Sequence, residues 1–206
     1  MQTSDARPSG RTSWKRLALV MVPTLAAAGA LVATMATGAL ATSFGVSGNS
    51  FPVAGESFQI AATRLEGDGF VQFGVVDRGR DGLYPEALSG IRSATLHHLC
   101  QSVVQNVPLL GPVTLRLTSS PAHADRLVAD AHDLRGDVVF RDVNIGQDAG
   151  TVQGVPGVQG TPGTFAEQAS AVTIDGLRQT TRSISAATFR LPDLHLTVRR
   201  GDHSCF

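Results

Sequence analysis

Only two cysteines, Cys100 and Cys205, occur in the 206 residues, too few for a disulfide-dense scaffold. Aromatic residues make up 5% of the chain, and Trp14 and Tyr84 are each the single residue of their kind. That leaves no aromatic platform on which bases or sugars stack. Charged residues amount to 17%, below the ~25% of an average globular chain. Basic and acidic counts are equal at 17, so no net field steers nucleic acid or acidic substrates to the protein. Lysine is nearly absent: Lys15 stands against sixteen arginines. Only one long apolar run is present, which excludes a polytopic membrane protein. Apolar residues still reach 42%, enough to bury a core, so the bulk of the chain is not disordered.

Residues 1–16 carry Arg7, Arg11, Lys15 and Arg16 against Asp5 alone and read as a basic cytoplasmic tail. Residues 17–41 then run without a charge. At a rise of ~1.5 Å per residue a helix of that length reaches ~37 Å, enough to cross a bilayer core of ~30 Å. Positive charge ahead of the run places the N-terminus inside and the rest of the chain outside. Two readings stay open. Ala39-Leu40-Ala41 is a small-x-small processing site, expected of a secretory signal cleaved after Ala41. The length of the run favours instead an uncleaved single-pass anchor, although Pro23 interrupts its helix. No cysteine lies near Ala41 to mark a lipid-modified terminus. The lipid bilayer, entered through 17–41, is thus the first partner expected, and the cell membrane the expected location. Without residues 1–41 the remainder has 13 basic and 16 acidic residues. A net charge of −3 does not suit a nucleic-acid binder.

The exported part, 42–206, reads as all-β. Brief alternating runs lie between Gly, Pro, Asp and Asn punctuation, at Phe58-Gln-Ile-Ala, Gly69-Phe-Val-Gln-Phe-Gly-Val-Val, Val113-Thr-Leu-Arg-Leu-Thr and Leu194-His-Leu-Thr-Val. In the third, residues 113, 115 and 117 share one face, the pattern of a half-buried strand. Phe165-Ala-Glu-Gln-Ala-Ser-Ala is expected to form one helical turn. A short repeat recurs: Ala62-Thr63-Arg64-Leu65, Leu96-His97-His98-Leu99, Ala131-His132-Asp133-Leu134, Ile174-Asp175-Gly176-Leu177 and Leu191-Pro192-Asp193-Leu194. Each reads as strand, tight corner, strand, with the Leu turned inward. Units of that kind stack into a sandwich or a short solenoid. The segment 146–163, with six Gly and two Pro, reads as a long mobile surface loop, where binding function tends to sit.

Catalytic signatures are missing. Gly45-Val-Ser-Gly-Asn lacks the second Gly of a nucleophile elbow, and neither a P-loop nor a dinucleotide fingerprint occurs. His97 and His98 are adjacent and face opposite sides of a strand. His123 with Asp125, and His132 with Asp133, sit among polar residues read as turns, and His195 alternates outward between Leu194 and Leu196. No metal spacing results, and no cofactor is implied. Asp68, Asp77, Asp81 and Glu86 cluster between strands; a glycosidase pair has this composition, but so do Gly/Asp-rich turns. The two exported thiols, Cys100 and Cys205, are expected to pair in an oxidising compartment. The catalytic alternative sets a nucleophilic cysteine beside His97 or His98.

Trp14-Lys-Arg-Leu-Ala-Leu-Val-Met-Val-Pro, Phe44-Gly-Val-Ser-Gly, Gly69-Phe-Val-Gln-Phe-Gly, Ile91-Arg-Ser-Ala-Thr-Leu-His-His-Leu-Cys-Gln-Ser, Pro108-Leu-Leu-Gly-Pro-Val-Thr-Leu and Phe165-Ala-Glu-Gln-Ala carry a resemblance over nearly the whole chain. It resembles a family of uncharacterised actinobacterial exported proteins of about this length. Some relatives bear a cholesterol esterase label, which implies a lipid-ester hydrolase but brings no catalytic residue with it. Three functions follow as expectations. The first is a non-enzymatic envelope module binding lipid or another envelope component. The second is a sterol or acyl ester hydrolase using Ser47 or Ser102 with a histidine. The third is a structural protein assembling laterally through exposed strand edges.

Overall fold

The structure, a computed structural model, describes residues 46–47, 56–79 and 82–206. The expected basic tail and the anchor or signal at 17–41 lie outside the described residues. Within them the chain is all-β, and no helix is long and apolar enough to cross a membrane. Eleven strands follow one another: β1 (Val46–Ser47), β2 (Phe58–Gly79), β3 (Gly82–His97), β4 (Leu99–Val107), β5 (Gly111–Ser119), β6 (Ala122–Arg141), β7 (Asn144–Asp148), β8 (Val158–Gln159), β9 (Phe165–Ser185), β10 (Thr188–Arg190) and β11 (His195–Arg200).

Nine of these strands form one sheet, in the order β11-β5-β4-β2-β3-β6-β9-β7 with β10 beside β6. All its pairings are antiparallel, and a further β2–β9 ladder joins two strands already in the sheet. The pairings β2–β3, β3–β6, β6–β9 and β9–β2 therefore close a ring of four strands. A sandwich or solenoid of short strands was the expectation; the observed architecture is one sheet wrapped on itself, with strands of 22, 16, 20 and 21 residues. Closing so few strands requires strong tilt and stagger. β6 accordingly meets β3 through Ala122–Ala131 and β9 through Val128–Arg141.

Punctuation taken as strand ends marks corners inside continuous strands at Gly69 and Gly176, and His98 forms a like corner between β3 and β4. Arg64 pairs with His97 and with Asp175, so Thr63, His98 and Gly176 stand at one level in adjacent strands. His98 (φ 52°) and Gly176 (φ 64°) are left-handed there. An extended strand turns residues i and i+2 inward. One left-handed residue between them shifts the inward pair to i and i+3, which is the spacing of the repeat. Ala62 and Leu65, Leu96 and Leu99, and Ile174 and Leu177 are all buried. Leu65 lies directly across from both Leu96 and Ile174. Three of the five repeats thus meet in one layer of the ring interior, where β-sheets place glycine at tight bends; in the other two Leu134 is only half-buried and Leu194, expected to turn inward, is 51% exposed. A second corner, at Gly69 (φ 66°) and Arg126 (φ 48°), has the same spacing in Ala124-Asp125-Arg126-Leu127.

The ring interior is a packed core. Five of its fifteen buried residues are alanine, which fits the narrow bore of so small a ring. Phe70 reaches Phe140 across it, with ring centroids 5.1 Å apart. A second apolar cluster lies where Val71, Phe73, Leu88 and Val128 are covered by Ala149, Val152, Val155 and Val158. The segment 146–163 is therefore no mobile loop but a fitted cover. Its Gly154 lies so close to the strand that a Cβ there would come within 2.8 Å of the Phe70 carbonyl oxygen. Gly154 O accepts from the Arg92 guanidinium at 2.8 Å, and Gln168 Oε1 accepts from Gln153 N and Gly154 N. Glycine here serves close approach rather than freedom. Similarly, the expected helical turn at 165–171 is the start of β9, extended by its pairing with β2 and β7.

Candidate functional site

Two places gather polar side chains in ways a plain β core does not require. The first is internal. Cross-strand pairs share a face, and Val75↔Glu86, Asp77↔Tyr84 and Leu88↔Asp130 extend the face of the second cluster toward the β2–β3 hairpin. Asp77 is 0% exposed and Asp130 1%, and the Glu86 side chain is fully buried. Arg182 of β9 donates from Nε to Glu86 Oε1 at 2.7 Å and lies over the Tyr84 ring, 3.9 Å from its centroid. His132 Nδ1 stands 3.8 Å from Glu86 Oε2. Burial, then the charges of Asp77 and Glu86 and a hydrogen bond that the protonated Asp130 donates to Asp77, push the Asp130 carboxyl up to about 7. Desolvation and like charge both disfavour a second carboxylate here, so Asp130 keeps its proton up to about pH 7. Thr181 Oγ1 donates to the Asp130 carbonyl.

Asp77 and Glu86 were read as turn residues; they are strand residues facing inward. Asp68 is exposed and points away from them, and Asp81 lies outside the described residues. Among the described residues no cluster suits a metal ion. The three carboxyl groups of the cluster are buried, and His132 and Arg182 beside Glu86 are partly exposed.

The second place is open. β4, β5 and β11 continue the sheet beyond the ring as a three-stranded arm. One face of the arm carries Val103, Leu115 and Val198 in a row, with Leu117 and Leu196 beside it. Leu117 still packs against the ring core. Farther out the same face is bare: Leu115 is 40% exposed, Leu196 54% and Val198 64%. The half-buried face expected at 113, 115 and 117 is covered only in part: Val113 and Leu117 are half-buried and Leu115 is exposed, while the fully buried residue of β5, Thr114, lies on the other face. At the β4–β5 hairpin tip Leu109, left-handed at φ 71°, is fully exposed, and Leu110 is half exposed.

The other face of the arm is covered in part by residues 201–206. Thr114 Oγ1 donates to Gly201 O at 2.7 Å and accepts from His203 N at 3.0 Å. Ser102 Oγ accepts from Cys205 N at 3.0 Å. The sulfurs of Cys100 and Cys205 lie at disulfide distance, 2.05 Å, and the Arg116 Nε–H donates to the Cys100 sulfur at 3.2 Å. Beside the tail a cleft of about 240 Å³ is lined by Arg116, Arg199, His195, His203, Thr118 and Thr197, with Thr114 at its floor.

The sequence placed His195 outward on the last strand, and it lines this cleft. The hydroxyl of Ser102, one nucleophile considered, is committed to the tail. Among the described residues the histidine rings hydrogen-bond to Thr63, Thr95 and the Arg200 carbonyl, and not to a serine. His123 and His132 lie within β6 rather than at turns. Arg116 and Arg199 were not singled out, because an alternating Arg in a strand carries no signal until its partner strand is known.

Residues 54–206 match a family of unknown function (DUF6230). No curated protein and no solved structure matches the chain.

Proposed function

We propose a membrane-surface role for this chain, which belongs to the family of unknown function DUF6230. It is an extracytoplasmic β module, held at the cell membrane by residues 17–41, that binds envelope lipid through the β4–β5–β11 arm without catalysis. The observation that carries this reading is the exposed apolar tip and face of the arm. Monomeric domains rarely leave contiguous apolar surface bare unless something covers it.

Two features favour a bilayer as the occupant. The 25-residue uncharged run at 17–41 is long enough to enter a membrane and would keep the domain beside one. Arginine also follows the tip at a suitable depth. Arg200 and Arg199 pair with Val113 and Thr114, two and three residues behind Gly111, or about 7–10 Å at strand rise. A headgroup layer is about 5–8 Å thick on each side of the hydrocarbon. Leu109 and Leu110 seated at the acyl boundary therefore set two guanidinium groups among anionic headgroups. The esterase activity implied by the resemblance has no such support: the Ser102 hydroxyl accepts from Cys205 N and meets no histidine, and the Ser47 side chain lies outside what the structure describes.

Hydrogen exchange of the full chain tests the reading, comparing detergent with vesicles of phosphatidylcholine and phosphatidylglycerol. Amides of 107–111 and 196–198 are expected to exchange more slowly in vesicles, and Leu109→Asp with Leu110→Asp to remove the difference. Identical exchange in the two environments would refute it.

A further inference from the structure

The cleft on the covered face of the arm has a composition unlike the rest of the surface. Its pairs His195↔Thr118, Thr197↔Arg116 and Arg199↔Thr114 alternate down one face of β5 and β11. Arg116 and Arg199 are diagonal neighbours, which long side chains span. No carboxylate lines the cleft, and among the described residues neither guanidinium has an ion-pair partner. Other arginines do: Arg64 pairs with Glu66 and Asp175, Arg135 with Asp133, and Arg182 with Glu86. What sets Arg116 and Arg199 apart is that two guanidinium groups without an acid line the same concave site.

One of the two is also held in place. Arg116 is tethered through Nε to the Cys100 sulfur, leaving its terminal amino groups for another acceptor. The tail closes the opposite wall: His203 N donates to Thr114 Oγ1, and His203 Nε2 lies 3.2 Å from the Arg200 carbonyl. Threonine hydroxyls at 118 and 197 add neutral donors between the cations.

We propose that this cleft binds the phosphate of a phosphate-bearing ligand, with Arg116 and Arg199 gripping its oxygens and His195, His203 and Thr197 around them. Planar guanidinium groups match phosphate geometry with paired hydrogen bonds. Preorganisation by the tail lowers the ordering cost of binding. The proposal rests on the arm being the binding end of the molecule and names the chemistry that it takes. Two sources offer that chemistry, an anionic phospholipid headgroup and free phosphate.

Calorimetric titration of the full chain in zwitterionic detergent distinguishes them, with inorganic phosphate and dioctanoyl phosphatidylglycerol as probes. Saturable binding is expected, weakened about tenfold or more by Arg116→Gln or Arg199→Gln and unchanged by Arg190→Gln, a charge-matched control outside the cleft. Preference for the lipid by about tenfold or more assigns the headgroup, and equal affinity assigns free phosphate. Absence of saturable binding by either probe overturns the proposal, as does a loss in Arg190→Gln equal to that in Arg199→Gln. The variant Leu109→Asp with Leu110→Asp separates the two readings. Phosphate binding is expected to survive in it, whereas slowed exchange at the tip is not.

Discussion

The Nε–H of Arg116 points at the sulfur of Cys100, 3.2 Å away, so the cation that faces the cleft is positioned by the residue that anchors the tail. Cys205, 105 residues further along the chain, comes back to the same sulfur. The tail it secures carries His203 and hydrogen-bonds to Thr114 and Ser102.

Cys205→Ser should therefore act twice. Opening a loop of that size removes up to about 4–5 kcal/mol of chain-entropy stabilisation, visible as a lower midpoint in denaturant. Phosphate affinity should fall in the same variant under conditions where it is still folded, because the cleft loses one wall. Full stability with reductant present would show that the two thiols are not bonded.

The corners make a paired prediction. Gly69 and Gly176 are both left-handed, at φ 66° and 64°. A Cβ at Gly176 meets nothing within 4 Å, whereas at Gly69 it comes within 2.5 Å of Gly154 O and 2.6 Å of Arg92 Nη2. Gly176→Ala should cost about 1 kcal/mol for the backbone alone. Gly69→Ala carries the same backbone cost and must also displace the cover segment, about 3 kcal/mol in total. Urea denaturation of the two variants measures the gap; equal losses would mean that the cover does not bear on the strand.

The same corners show how far the sequence could be read. Leu96-His97-His98-Leu99 and Ile174-Asp175-Gly176-Leu177 are legible because an apolar pair three apart breaks the period of two. Ala124-Asp125-Arg126-Leu127 has the same form but hides in the sequence, since Arg126 is not a residue expected at positive φ. The strands looked short for a related reason: Gly and Asp at corners resemble the Gly and Asp that end strands. Segment 146–163 looked loose because glycine signals freedom as readily as it signals close contact. The carboxyl cluster was half visible. Asp77 and Glu86 are near in sequence, but Asp130 and Arg182 join them only through the β3–β6 and β6–β9 ladders, which no local pattern reveals.

Removing the cation from that cluster should be costly. Glu86 is fully buried, with Arg182 Nε 2.7 Å from one of its oxygens. Arg182→Ala leaves an ionised group in a low-dielectric interior, at a cost of about 3–5 kcal/mol. Replacing both partners, as Arg182→Met with Glu86→Gln, should recover much of this, because the pair itself contributes little beyond its mutual compensation. Denaturation midpoints of the single and double variants check the ordering; a double variant as unstable as Arg182→Ala would contradict it.

The proton held by Asp130 gives the protein a pH dependence opposite in sign to common acid denaturation. Its carboxyl titrates at about 7 in the fold and near 3.9 in an unfolded chain. Between those values the folded state binds the extra proton, so stability falls as pH rises. The contribution is fully present below about pH 4, is lost progressively up to about pH 7, and is constant above that. A shift of this size corresponds to stability on the order of 4 kcal/mol. The full chain should accordingly be more stable at about pH 5 than at about pH 8. Asp130→Asn keeps the shape and a neutral side chain, so it should flatten the slope and gain most at the higher pH. Glu167, raised by burial, adds a slope of the same sign that this variant leaves in place. Unfolding midpoints measured across that range for both proteins decide the matter, since a wild-type curve that rises toward pH 8 would place the Asp130 proton in solvent rather than in the cluster.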